Sequence, residues 1–191
     1  MSVKKLLLSL ALVLLSACAY SPQQITIEPR IDTGGDAYGN GRAIAVSAED
    51  AREQKVLGTR GGVYKDTSTI TVANDMVQAI ARAAQAKLAT LGFNVNSDQP
   101  SASMNVVVEQ LSYDVPDKGG LGKTIDLKCA LRVDVKAGSE SYSGHYRTSA
   151  QQEALMTPSM ASNQQMINKL LSDTLARAFT DPKMKAFLSN I

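Results

Sequence analysis

Apolar and polar residues alternate along several stretches of this chain, most clearly over 124–137. There Ile125, Leu127, Cys129, Leu131, Val133 and Val135 share one parity, with Asp126, Lys128, Arg132, Asp134 and Lys136 on the other. A period of two with one greasy face marks a strand lying between core and solvent. Ala137-Gly138-Ser139 turns the chain into a partner strand over 140–150, with Tyr142, Gly144, Tyr146 and Thr148 inward, so the pair predicts a hairpin. Over 103–115, Met104, Val106 and Val108 keep one parity while Leu111, Tyr113 and Val115 keep the other, which predicts a bulge near Glu109. Ile44, Val46 and Ala48 predict a strand over 42–48, and Phe93 to Val95 a brief one. Ile25, Ile27 and Ile31 predict a strand at a sheet edge, because Pro29 lacks the amide that a central strand uses.

Between Thr71 and Leu91 the period becomes 3.6: Val72, Met76, Ile80, Ala83, Ala84, Leu88 and Leu91 fall on one helical face. Thr71 is placed to cap the start, Gly92 to end the helix in a left-handed conformation, and Phe93 to fold back on the last turn. A second helix over 159–180 buries Met166, Ile167, Leu170, Leu171, Thr174, Ala178 and Phe179. Asp181-Pro182 then opens a last short helix carrying Met184, Phe187 and Leu188, with proline at a position whose amide has no helical partner. These elements predict an α+β fold: a two-layer sandwich of a mostly antiparallel sheet with two main helices on one face, plus a short C-terminal helix.

The first residues follow another pattern. Lys4 and Lys5 precede an apolar run from Leu6 to Leu15, and the small residues Ser16 and Ala17 lead into Cys18. That order marks a secretory signal, and the run is shorter than the roughly 20 residues that a membrane-crossing helix needs. The expected organisation is a signal at 1–17, a tether at 18–24, and one globular domain at 25–191, long enough to bury a core. The net charge of +2 is carried by Lys4 and Lys5, so the chain without its signal holds as many Lys and Arg as Asp and Glu. With basic residues scattered among acidic ones there is no basic face to bind nucleic acid.

Candidate chemistry is sparse. Asp117-Lys-Gly-Gly-Leu-Gly-Lys123-Thr124 ends like a phosphate-binding loop, but it lacks the first glycine and opens a strand rather than a helix. Asp32 to Gly41, with Gly34, Gly35, Gly39 and Gly41, has no dinucleotide spacing and is expected to be a mobile loop. His145 is the only histidine, on the polar parity, with no second ligand at metal spacing. Cys129 falls on the buried parity, where a thiol packs and does not react. Glu49 and Asp50 lie in a charged turn, where solvation is the expected role. No nucleophile elbow occurs, so no catalytic residue, cofactor or metal is expected.

Leu15-Ser16-Ala17-Cys18 resembles the lipobox of bacterial lipoproteins. The resemblance implies recognition of Leu15, Ser16 and Ala17 by a dedicated signal peptidase, and acylation of Cys18 by a diacylglyceryl group and palmitate-like chains. Two or three such chains make release from a membrane negligible. Beyond the lipobox, Val46-Ser-Ala-Glu-Asp50-Ala-Arg52, Thr69-Ile-Thr-Val72, Leu88-Ala-Thr-Leu-Gly-Phe-Asn-Val95, Val108-Glu-Gln-Leu-Ser-Tyr-Asp-Val115 and the helix beginning near Asn163 are similar to the YajG-type family of Gram-negative lipoproteins. That resemblance implies an envelope lipoprotein and brings no catalytic residues with it. The expectation is a non-enzymatic accessory protein anchored through Cys18 to the periplasmic face of the outer membrane, binding an envelope protein or cell-wall polymer. Ala19 is not the aspartate that commonly retains lipoproteins in the inner membrane. The alternative is a small-molecule or glycan-binding domain, or a cell-wall hydrolase, with Asp32 to Gly41 as a lid.

Overall fold

A computed structural model of the chain describes residues 21–32, 34–61, 65–116 and 122–191. The strands are β1 (Gln23–Ile25), β2 (Ile44–Asp50), β3 (Gly58–Thr59), β4 (Thr69–Val72), β5 (Ala102–Asp114), β6 (Lys123–Ala137) and β7 (Glu140–Ala154). The helices are α1 (Met76–Thr90), α2 (Met160–Phe179) and α3 (Pro182–Asn190). They form the expected α+β fold, with the helices packed on the apolar face of a seven-stranded sheet ordered β1-β4-β3-β5-β6-β7, in which β2 also pairs with β5.

β5 organises the sheet. One of its edges takes β6 antiparallel along its length, and the other edge is shared: β2 runs parallel to residues 102–108, and β3 meets it at Tyr113. The register against β6 slips between Val108 and Gln110, the bulge that the change of parity predicts. The sheet is therefore mixed. The parallel β2–β5 pair needs a long crossover, and α1 within it covers β2. The β6–β7 hairpin pairs Cys129 with Thr148 and buries every residue assigned inward on β6.

Register also defines the two ends of the molecule. Gln23, Ile70, Gly58, Tyr113, Leu127 and Ala150 form one row across six strands. Beyond that row, at the near end, lie Ser21, Lys123 and the β7–α2 connection. At the far end lie the β6–β7 turn at Gly138 and the last turn of α1.

Three expectations are corrected. The strand expected over Phe93 to Val95 is reduced to a single parallel bridge between Asn94 and Ala43. Thr71 belongs to β4, and the α1 cap is Asp75, whose carboxylate accepts from the Gln78 amide at 2.9 Å. The strand expected over Ile25 to Ile31 ends at Ile25, and the extended chain after it lies along α2 instead. Gln164, Asn168 and Ser172 accept from the amides of Thr26, Glu28 and Arg30 at 2.8, 2.7 and 2.9 Å. Four helical residues rise about 6 Å and two extended residues about 6.6 Å, so side chains every fourth residue on α2 match alternate amides of the chain.

Candidate functional site

Leu15, Ser16, Ala17 and Cys18, the residues that the sequence singles out, lie outside the described residues, as do Asp117 to Leu121 of the phosphate-loop look-alike. The described chain begins at Ser21, whose carbonyl accepts from the Arg60 guanidinium at 3.3 Å. Two residues on, the Gln23 side chain accepts from Asn163 in the first turn of α2 at 2.8 Å. The tether thus leaves the domain at its near end, beside the start of α2.

A polar cleft lies where β2 gives way to β3 along β5. It encloses about 630 Å³ and is lined by the 51–59 segment, by Glu109 to Ser112 at the bulge, and by Ala130 and Arg147. Arg52 stands at its inner wall and is only 7% exposed. Its guanidinium grips Asp50 with two bonds, Nε to Oδ1 at 2.8 Å and Nη2 to Oδ2 at 3.0 Å, and Lys55 adds a third contact to that carboxylate at 3.1 Å. The hydrogen bond from Arg52, against some desolvation and with help from Lys55, holds the Asp50 carboxyl down at about 2. A carboxylate held that acidic is a poor proton acceptor at neutral pH, and an arginine does not release its proton. Among the described residues Arg52 Nη1 is buried without a hydrogen-bond partner. The cluster can thus orient a donor fork and carry charge, which suits recognition of a polar or anionic group.

This cluster corrects the reading of Glu49 and Asp50 as a solvated turn, since both belong to β2. Glu49 is exposed, but Asp50 is half-buried and Arg52 is buried. The Asp-Ala-Arg spacing was the available signal, since alternate residues of an extended chain share a face.

The other candidates have structural roles. Tyr142 and Tyr146 hydroxyls lie 2.6 Å apart, and each donates to Asp181 Oδ2 at 2.8 Å. Asp181 also caps α3 by accepting from the Lys183 amide at 2.8 Å. Burial pushes the Asp181 carboxyl up, but the Tyr142 hydroxyl, the Lys183 amide and the Tyr146 hydroxyl together hold it below its ordinary value. Burial raises the Cys129 thiol to about 11, as expected of a packing cysteine. His145 is exposed, and its Nδ1 lies 3.4 Å from Glu109. The later half of the glycine-rich loop is tied down: Tyr38 and Gly39 amides donate to Leu91 O at 3.0 and 2.7 Å, and Gly41 to Gly92 O at 2.8 Å.

A family model described as "Uncharacterized lipoprotein" matches residues 29–189. No curated protein matches the chain. Among solved structures, a Xanthomonas campestris protein is similar at 8% identity and a TM-score of 0.48, over 87% of this chain and 98% of that one. The PelC dodecamer from Paraburkholderia phytofirmans is similar at 12% identity and a TM-score of 0.34, over 75% of this chain and 91% of that one. A hypothetical protein from Chlamydia trachomatis is similar at 12% identity and a TM-score of 0.26, over 78% of this chain and 97% of that one.

Proposed function

The chain belongs to the YajG-like family of uncharacterized lipoproteins, and on that premise we propose that it is a non-enzymatic accessory protein of the cell envelope. Its acylated Cys18 holds it on the periplasmic face of the outer membrane, where it binds an envelope protein or a cell-wall polymer. The observation that carries the reading is the lipobox Leu15-Ser16-Ala17-Cys18, set directly ahead of the family-matched domain. Among the described residues no helix is long and apolar enough to cross a membrane, so the proposed attachment rests on the lipid. The cleft at the β5 bulge supports a binding role, because its buried charges are better suited to hydrogen-bonding a partner than to moving protons.

Fractionation of cells making the natural chain or Cys18→Ser tests the anchor. Natural protein in outer-membrane fractions, with the variant soluble or unprocessed, is the expected result; natural protein in the soluble periplasm contradicts it. For the binding role, a photocrosslinker in place of exposed Gln54 should capture a discrete envelope partner in intact cells, and one in place of Ser139 should not.

A second reading, a glycan- or small-molecule-binding domain, draws on the same cleft. It does not use Asp32 to Gly41 as a lid, because that loop is tied to the C-terminal end of α1 and the cleft lies towards the other end of that helix. Cell-wall fragments that raise the melting temperature with saturation would favour it over a protein partner.

A further inference from the structure

Four large apolar side chains are exposed among the described residues, and three of them fall on the short segment 155–160 at the near end: Leu155 is 87% exposed, Met156 80% and Met160 50%. Leu155 and Met156 lie in the connection that follows β7, and Met160 is the first residue of α2. Exposed apolar groups concentrated on one short segment mark a surface that something covers.

A hydrogen bond shows what lies beside them. Asn163, in the first turn of α2, donates to the Gln23 side chain at 2.8 Å, so the chain at Ser21 leaves the domain next to the turn that Met160 opens. Cys18 precedes Ser21 by three residues, and three extended residues reach about 10 Å. An acylated Cys18 therefore keeps the membrane close to the start of α2, at the end of the molecule that carries the exposed side chains. Lys123, whose ammonium donates to Thr157 at 3.2 Å, lines one hollow with Leu155, which puts a cation beside the exposed segment where headgroup phosphates would lie.

We infer that Leu155, Met156 and Met160 form a second, non-covalent membrane contact. They enter the outer part of the leaflet that holds the acyl chains and keep the domain upright, with the β6–β7 turn facing away. This rests on the proposed anchoring at Cys18. Lipid chains alone would leave the domain free to tilt on its short tether, whereas two attachments at one end fix its direction.

The test uses the full acylated protein in vesicles of phosphatidylethanolamine and phosphatidylglycerol that contain a lipid-borne quencher. An environment-sensitive fluorophore is placed at Leu155→Cys or, as the distal control, at Ser139→Cys; buried Cys129 stays unlabelled in the native protein. The label at 155 should be quenched several-fold more than the label at 139. Equal quenching overturns the inference. So does a 155 label shielded from both the lipid quencher and aqueous iodide, which would mean that protein covers the cluster. Intact mass of the same sample scores acylation separately. Equal quenching with Cys18 acylated removes only the second contact, whereas an unmodified Cys18 removes the anchor itself.

Discussion

At the far end of the sheet Arg42 spends its guanidinium on four backbone carbonyls, while at the near end Leu155 and Met156 stand almost bare in solvent. Arg42 donates to Gly39 O at 2.9 Å, Tyr38 O at 2.7 Å, Ser189 O at 2.9 Å and Ile191 O, and lies 5.6 Å from the centre of the Phe93 ring. Tyr38 meets Phe93 edge-on at 5.7 Å, and Gly92, at φ +86°, turns the chain so that the Phe93 amide reaches back to Leu88 O at 3.1 Å. One cation thus draws together the glycine-rich loop, the end of α1 and the end of α3. Among the described residues the near end has no comparable clasp over Leu155 and Met156. The contrast teaches that exposure here is local: the same chain closes one end with a partly buried guanidinium and glycine contacts and leaves apolar side chains uncovered at the other. Under the membrane-contact inference, the uncovered end is where the bilayer completes the structure.

Substitutions break this contrast in a definite order. Gly39→Ala should be the most damaging, because a Cβ there would lie 2.5 Å from both Gly92 C and Phe93 N, and backbone must move to admit it. A loss of about 3 kcal/mol in urea unfolding is expected. Arg42→Ala removes a charged donor from several carbonyls and should cost about 2 kcal/mol. Arg42→Lys should recover little of that, since a single ammonium cannot reproduce the planar fork.

Midway between the ends, Cys129→Ser should cost roughly 1–3 kcal/mol by burying a hydroxyl in the core beside Thr174, whose own hydroxyl is already donated to Leu170 O, and Cys129 should resist alkylation until the protein unfolds. Lys128→Ser, on the wet face of the same strand, should stay within about 0.5 kcal/mol. Equal effects of these two substitutions would mean that β6 is out of register. At the near end, Leu155→Ser and Met156→Ser should each leave the unfolding midpoint in detergent-free buffer within about 0.5 kcal/mol of the natural chain. A large loss there would show that the cluster serves the domain's own core and would erase the contrast.

Much of the frame was legible in the sequence because it rests on local periodicity. Period two fixed the face of β6, its change of phase located the bulge after Val108, and the 3.6 period with Gly92 marked where α1 ends. Non-local features were not legible. That β2 lies parallel to β5 depends on a crossover whose direction no window of residues contains. Thr71 offered itself as a cap because threonine caps well, but β4 claimed it and Asp75 caps instead. The Gln164, Asn168 and Ser172 ladder reads as an ordinary solvent face until the 26–30 segment is laid against it. Arg52 was hidden for a related reason: arginine is seldom buried, and only its pairing with Asp50 makes that position tolerable. The candidate anchor at Cys18 depends on sequence alone, since it precedes the described residues.

The mass of the N-terminal peptide from protein extracted out of cell membranes therefore tests the account most directly. A peptide beginning at Cys18 and carrying two or three acyl chains is the predicted result. A chain that begins elsewhere, or a Cys18 with no added lipid, would contradict it.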